Sequence, residues 1–106
     1  MKKFRSLELA IELYQDCKKI KLSYAMKDQL IRASSSIALN LAEGNQRNTI
    51  RDKRRFINMA LTSLHEVQCL IKLEGLEQIE SKANSLGGMI FCLNRNLGRQ
   101  LRTENR

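Results

Sequence analysis

Apolar residues recur at intervals of three or four along most of the chain, the period of one face of an α-helix, and four stretches carry that period. The first predicts a helix from about Arg5 to Lys21. Phe4, Leu7, Ile11 and Tyr14 make one line, and Leu9, Leu13 and Ile20 a second beside it, so apolar side chains cover more than half of the circumference. Glu8, Glu12, Gln15, Asp16 and Lys19 fill the remaining arc. An apolar arc that wide exceeds what one bundle core requires and points to further burial against another subunit. The second stretch predicts a helix from Tyr24 to Glu43, with Ser23 as its N-cap and Gly44 as a left-handed residue that ends it. Met26, Leu30, Ala33, Ile37 and Leu41 form its stripe, and Ser34, Ser35, Ser36, Ala38 and Ala42 allow a neighbouring helix to come close.

Gly44 to Asn48 reads as a loop. A third helix is expected from Ile50 to Leu73, ended by Gly75. Its core line is Phe56, Ala60, Leu64, Val67 and Ile71, with Ile57 and Leu70 at the margins. A fourth is expected from Glu77 to Leu101 on the stripe Ile79, Ala83, Leu86, Ile90, Leu93, Leu97 and Leu101. Glu77 and Glu80 suit its positive N-terminal end. Gly87, Gly88 and Gly98 each weaken it by about 1 kcal/mol relative to alanine. They predict a bend at the glycine pair and a frayed end over residues 102–106. Four helices with short connections favour an all-α, antiparallel, up-down-up-down four-helix bundle, a single domain over residues 1–106.

Composition agrees with that picture. Apolar residues make up 42% and charged residues 28%, ordinary for a globular domain, and the absence of proline permits long helices. No apolar run approaches the roughly 18 residues of a membrane span. The basic start, Met1 to Arg5, is followed by Glu8, Glu12 and Asp16 rather than by a signal-peptide core, so the cytoplasm is the expected location and no membrane partner is expected. Cys17, Cys69 and Cys92 are odd in number and widely spaced, which suggests buried reduced thiols and neither a disulfide framework nor a metal site. One histidine, His65, cannot build a usual zinc site. No nucleophile elbow, phosphate loop or dinucleotide fingerprint occurs. Glu43 and Glu66 could approach each other, but with no further partner they read as structural hydrogen-bonding groups. The expectation is a protein that is not an enzyme and has no cofactor.

Charge is what gives the chain a functional direction. The net charge is +8 and the pI near 9.8, values that attract polyanions. Arg47, Arg51, Lys53, Arg54 and Arg55 fall within nine positions, with Asp52 the only acid among them. Arg51, Arg54 and Arg55 share a helical face in the first turns of the third helix, where the macrodipole favours acids instead. Phosphate would reward that placement, because a helix N-terminus also offers free N–H groups. Arg95, Arg99, Arg102 and Arg106 form a second stripe, and Lys18, Lys19, Lys21 and Lys27 surround the first inter-helix turn. The aromatic residues Phe4, Tyr14, Tyr24, Phe56 and Phe91 fall mostly at core-facing positions, so stacking on single-stranded bases is not expected to dominate. The pattern predicts a non-catalytic scaffold that binds nucleic acid through phosphates and shape, with structured RNA favoured over DNA. The alternative is a protein–protein adaptor for an acidic partner such as a reverse transcriptase or other nucleic-acid enzyme.

The string from Asp28 to Ile37, with Asn40-Leu41-Ala42-Glu43-Gly44 after it, resembles the four-helix-bundle proteins encoded in intervening sequences of 23S ribosomal RNA genes. Arg55-Phe56, Ala60 and Ser63-Leu64-His65-Glu66 resemble the same family. The resemblance implies a ring-shaped homopentamer. It also implies kinship with the accessory variability determinant of diversity-generating retroelements, a basic pentamer that binds nucleic acid and its reverse transcriptase. By position Gln29, Arg32, Ser36, Asn40, Glu43, Gly44 and Glu66 correspond to the family's signature, as groups that fix helix contacts and the end of the second helix. A buried Arg32 would need a carboxylate, with Glu66 or Glu43 the expected partner. Its replacement by alanine would then lower the melting temperature by several degrees.

Overall fold

The computed structural model describes residues 4–104 and contains four helices: α1 (Arg5–Lys18), α2 (Tyr24–Gln46), α3 (Ile50–Glu74) and α4 (Glu77–Glu104). Helix α1 packs on α2, α2 on α3 and α3 on α4, and α4 closes back onto α1, so the four stand around a square. The direction of each pair follows from its contacts. Ser36 bonds Ser63 while Gly44 lies beside Phe56, so α2 and α3 run oppositely. Gln68 bonds Asn84 while Arg54 bonds Asn94, which sets α3 against α4. Lys82 reaches Asp16 at one end of the α1–α4 pair, and Ser6 shares a crevice with Leu93 at the other. Lys27 bonds carbonyls at the end of α1 while Asn45 borders the crevice at its start. The result is an up-down-up-down bundle of 50 × 28 × 21 Å.

Local chemistry sets the helix ends. The Ser23 hydroxyl accepts from the Met26 N–H at 3.4 Å, and the Thr49 hydroxyl from the Asp52 N–H at 3.1 Å. Gly75 closes α3 in the left-handed region, φ 64°, and its amide and that of Leu76 both return to the Ile71 carbonyl. Helix α1 stops at Lys18 instead of Lys21: the Lys19 and Ile20 amides fold back to Asp16 and Cys17 in a tight last turn. Lys27 then donates to the carbonyls of Lys18 and Ile20, so this lysine is spent on capping.

Gly44 does not end α2. The helix continues to Gln46, and Gly44 is buried inside it. A Cβ there would stand 3.1 Å from Phe56 Cβ and 3.4 Å from the Lys53 carbonyl oxygen, so glycine is required by close approach of α3 rather than by a turn. Helix α4 is helical through Gly87-Gly88 and does not fray before Glu104; residues 105 and 106, with Arg106 of the expected stripe, lie outside the described residues. Gly87 rests against Leu64 and Gly98 against Arg54, so tertiary contact offsets the weak propensity.

The core is Ala10, Leu13 and Cys17 of α1, the stripe Leu30, Ala33, Ile37 and Leu41 of α2, Ile57, Ala60, Leu64, Val67, Leu70 and Ile71 of α3, and Ile79, Ala83, Leu86 and Ile90 of α4. The burial differs from the sequence pattern on α1, on α3 and at the cysteines. Helix α1 buries Ser6, Ala10, Leu13 and Cys17, leaving Leu7 and Leu9 at the core's edge and Ile11 44% exposed. Its small residues face inward because they let it sit close to both neighbours. On α3, Ile57 is core and Phe56 is half-buried beside α2. Only Cys17 is buried; Cys69 and Cys92 are exposed on outer faces, outside the core stripes of α3 and α4. Burial pushes the Cys17 thiol from 9.0 up to about 11, with the nearby Ser34 hydroxyl pulling the other way.

Candidate nucleic-acid interface

Because α3 and α4 are antiparallel, the first turns of α3 lie beside the last turns of α4, and two arginine clusters far apart in sequence meet at one end of the bundle. Arg54 joins them. Its Nε donates to Asn94 Oδ1 at 3.2 Å, and its guanidinium lies so close to Gly98 that a Cβ there would be 3.0 Å from Nη2. Arg51 and Arg55 stand exposed on the α3 side, with Arg95, Arg99 and Arg102 exposed on the α4 side. Among the described residues none of these six arginines has a carboxylate within ion-pair distance. The charge is therefore available to a partner.

The adjoining basic residues are partly committed. Arg47 pairs with Glu43 at 2.6 Å, and its guanidinium carbon sits 4.6 Å from the Phe56 ring centroid. Arg55 reaches the same ring at 4.8 Å, so one half-buried aromatic steadies two cations. Lys53 lies over the α2–α3 connection, its ammonium 3.4 Å from the Asn45 carbonyl oxygen. The third cluster is elsewhere. Lys18, Lys19 and Lys21 surround the α1–α2 turn at the opposite end of the bundle, with the Lys18 ammonium 5.2 Å from the Tyr14 ring. These lysines belong to a separate patch.

The family-signature positions fall along α2 and α3. The Ser36 and Ser63 hydroxyls are 2.8 Å apart, and Asn40 donates to the Ser36 carbonyl at 2.9 Å and hydroxyl at 3.1 Å, a polar seam joining the two helices. Arg32 is not buried. Its side chain is 78% exposed and pairs with Asp28 at 3.0 Å, one turn away on the same helix, so neither Glu66 nor Glu43 is its partner. Glu66 and Gln29 are exposed, and Glu43 is engaged by Arg47.

Phe91 departs from expectation. Counted with the core-facing aromatics, it is 56% exposed, with Arg95 6.0 Å from its ring centroid. Its neighbour Ile90 carries the α4 stripe, which puts Phe91 off that stripe, the one signal in the sequence that could have marked it. Tyr24 is likewise exposed, at 90%. Among the described residues no cluster of three or more His, Cys, Asp or Glu is arranged to hold a metal ion, and no helix is long and apolar enough to cross a membrane.

A solved structure from Bacteroides thetaiotaomicron, a protein of unknown function from the S23 ribosomal protein family, has the same fold: TM-score 0.69 at 22% identity, covering 85% of this chain and 94% of that one. No curated protein matches the chain in sequence. The family model for the 23S rRNA-intervening sequence proteins matches residues 3–92, stopping just short of the Arg95, Arg99 and Arg102 stripe. With most of its length matched, the chain belongs to the family of 23S rRNA-intervening sequence proteins.

Proposed function

We propose that the protein is a non-catalytic, homo-oligomeric scaffold that binds nucleic acid, with structured RNA favoured over DNA, through phosphate contacts at the end of the bundle where α3 begins and α4 ends. The carrying observation is the contact of Arg54 with Asn94 and Gly98, which makes one surface of six arginines without carboxylate partners. Cations in the first turns of α3 oppose the helix dipole, at a few tenths of a kcal/mol each, and phosphate reverses that cost. Membership of a family named for 23S rRNA intervening sequences supports RNA as the polyanion.

Mobility-shift titrations across salt test the reading. If the arginine surface neutralises about five or six phosphates, log affinity for a duplex should fall against log salt with a slope of roughly −5. Arg51→Glu/Arg54→Glu/Arg55→Glu, with its oligomeric state checked by light scattering, should flatten that slope by at least two units. Correctly assembled wild-type protein that ignores RNA and DNA alike in dilute buffer would overturn the reading. Retention of a partner after nuclease treatment would reassign the surface to an acidic protein.

A further inference from the structure

The groove between α3 and α4 continues past the arginines into a different chemistry. Leu61, His65 and Gln68 of α3 face Asn84, Gly88 and Phe91 of α4 across an open cleft of about 430 Å³. That volume falls within the roughly 300–1,000 Å³ of small-ligand sites. Gly88 leaves the space unfilled, since a Cβ there would meet nothing within 4 Å. Gln68 Nε2 donates to Asn84 Oδ1 at 3.2 Å. Among the described residues that is the only side-chain hydrogen bond either amide makes, leaving Gln68 Oε1 as an acceptor and Asn84 Nδ2 as a donor at the rim. Arg95 stands one helical turn from Phe91, on the side of the arginine surface.

We infer that this cleft holds one unpaired nucleotide of the bound RNA, its base stacked on Phe91 and its phosphate on Arg95. Phosphate binding alone needs no aromatic ring, yet the half-exposed Phe91 ring is continuous with the unpaired arginines. Unpaired RNA bases are recognised by stacking on aromatic or histidine rings and by hydrogen bonds to their edges, and the cleft supplies Phe91, His65 and the Gln68–Asn84 amide pair for these contacts. The proposal rests on the phosphate-binding reading above and adds preference for a bulged or looped RNA over a fully paired one.

The probes are a 20-base-pair RNA duplex and the same duplex carrying one bulged adenosine. Wild type should bind the bulged RNA roughly 5- to 160-fold more tightly, the range for stacking one base on an aromatic side chain. Phe91→Ala should abolish that preference while duplex affinity and its salt slope stay. Gly88→Leu is the second variant; its Cβ has nothing within 4 Å, and the rest of the side chain takes up space in the cleft. It too should bind both RNAs equally. Arg51→Glu/Arg54→Glu/Arg55→Glu should weaken both RNAs together. Equal wild-type affinity for the two probes, or a preference that survives in Gly88→Leu, overturns the nucleotide site and leaves phosphate binding standing. Failure of wild type to bind either probe overturns both. A change of oligomeric state in both Phe91→Ala and Gly88→Leu assigns the cleft to a second copy of the chain and overturns the proposal as well.

Discussion

Adding one methyl group at Gly88, Gly44 and Gly75 is predicted to give three different outcomes. At Gly88 the new Cβ meets nothing within 4 Å, so Gly88→Ala keeps only the gain in helix propensity, about 1 kcal/mol. For a domain of this size the melting temperature rises by about 4 °C. At Gly44 the same gain is opposed by contact. The methyl would sit 3.1 Å from Phe56 Cβ and 3.4 Å from the Lys53 carbonyl oxygen, atoms fixed to the α3 backbone that no rotamer change can move. Helices α2 and α3 must separate by a few tenths of an ångström, and overpacking of that kind costs about 1–3 kcal/mol, a net loss of about 1 kcal/mol after the propensity gain. At Gly75 nothing crowds the methyl, but φ is 64°, and left-handed backbone costs a residue with a Cβ about 1–2 kcal/mol. Thermal unfolding followed by circular dichroism at one protein concentration, fixed because assembly shifts apparent stability, ranks the variants. The predicted order is Gly88→Ala above wild type, with Gly44→Ala and Gly75→Ala below it. A Gly44→Ala protein that melts as high as Gly88→Ala would show that α2 and α3 do not approach as described.

Arg32→Ala should change stability by less than about 0.5 kcal/mol, since it removes only an exposed pair, whereas Asn40→Ala should cost about 1 kcal/mol by opening the Ser36–Ser63 seam. Urea denaturation separates the two, and equal losses would contradict the assignment. Alkali should destabilise the fold in two stages. The Cys17 thiol rises from 9.0 to about 11 on burial, and Lys82 is held above its ordinary 10.5, first by its hydrogen bond to Asp16. Both groups keep their protons longer when folded: the Cys17 contribution is complete below pH 9 and is lost as pH climbs through about 11, while the Lys82 contribution is complete below 10.5 and is lost above it. Cys17→Val should remove the earlier stage and Lys82→Met the later one in urea midpoints from pH 8 to 11.5; a flat wild-type profile would refute this. A disulfide-exchange reagent should modify Cys69 and Cys92 in the native protein and Cys17 only after unfolding. Immediate reaction of all three thiols would place Cys17 outside the core.

Most of the fold was legible because large apolar residues report their own face when a helix has one wide core stripe, as α2 and α4 do at Leu30, Ile37, Leu86 and Ile90. The reading failed where small residues carry the contact. Ala10 and Cys17 face the core while Ile11 does not, and Gly44 looks like a helix stop until the α3 helix beside it is known. A single strand of sequence cannot show which neighbour demands a missing side chain. The interface was half legible for a related reason. Each arginine stripe follows from spacing within its own helix, but their meeting depends on α3 and α4 lying antiparallel, with Arg54 fitted against Gly98. Arg32 was misplaced because a charged residue in a motif invites a buried role, while Asp28 one turn earlier already offers an exposed partner.

Helix α4 starts with Glu77 and Glu80 and finishes with Arg99 and Arg102, and it runs the length of a rod 50 Å long. If its partner is the nucleic acid proposed above, a rod with uneven charge feels a torque near that polyanion, and the arginine end, whose cations lack carboxylate partners, would lead the approach. Orientation is thereby selected during approach, and the arrival rate should fall with ionic strength even when the bound contacts themselves are unchanged.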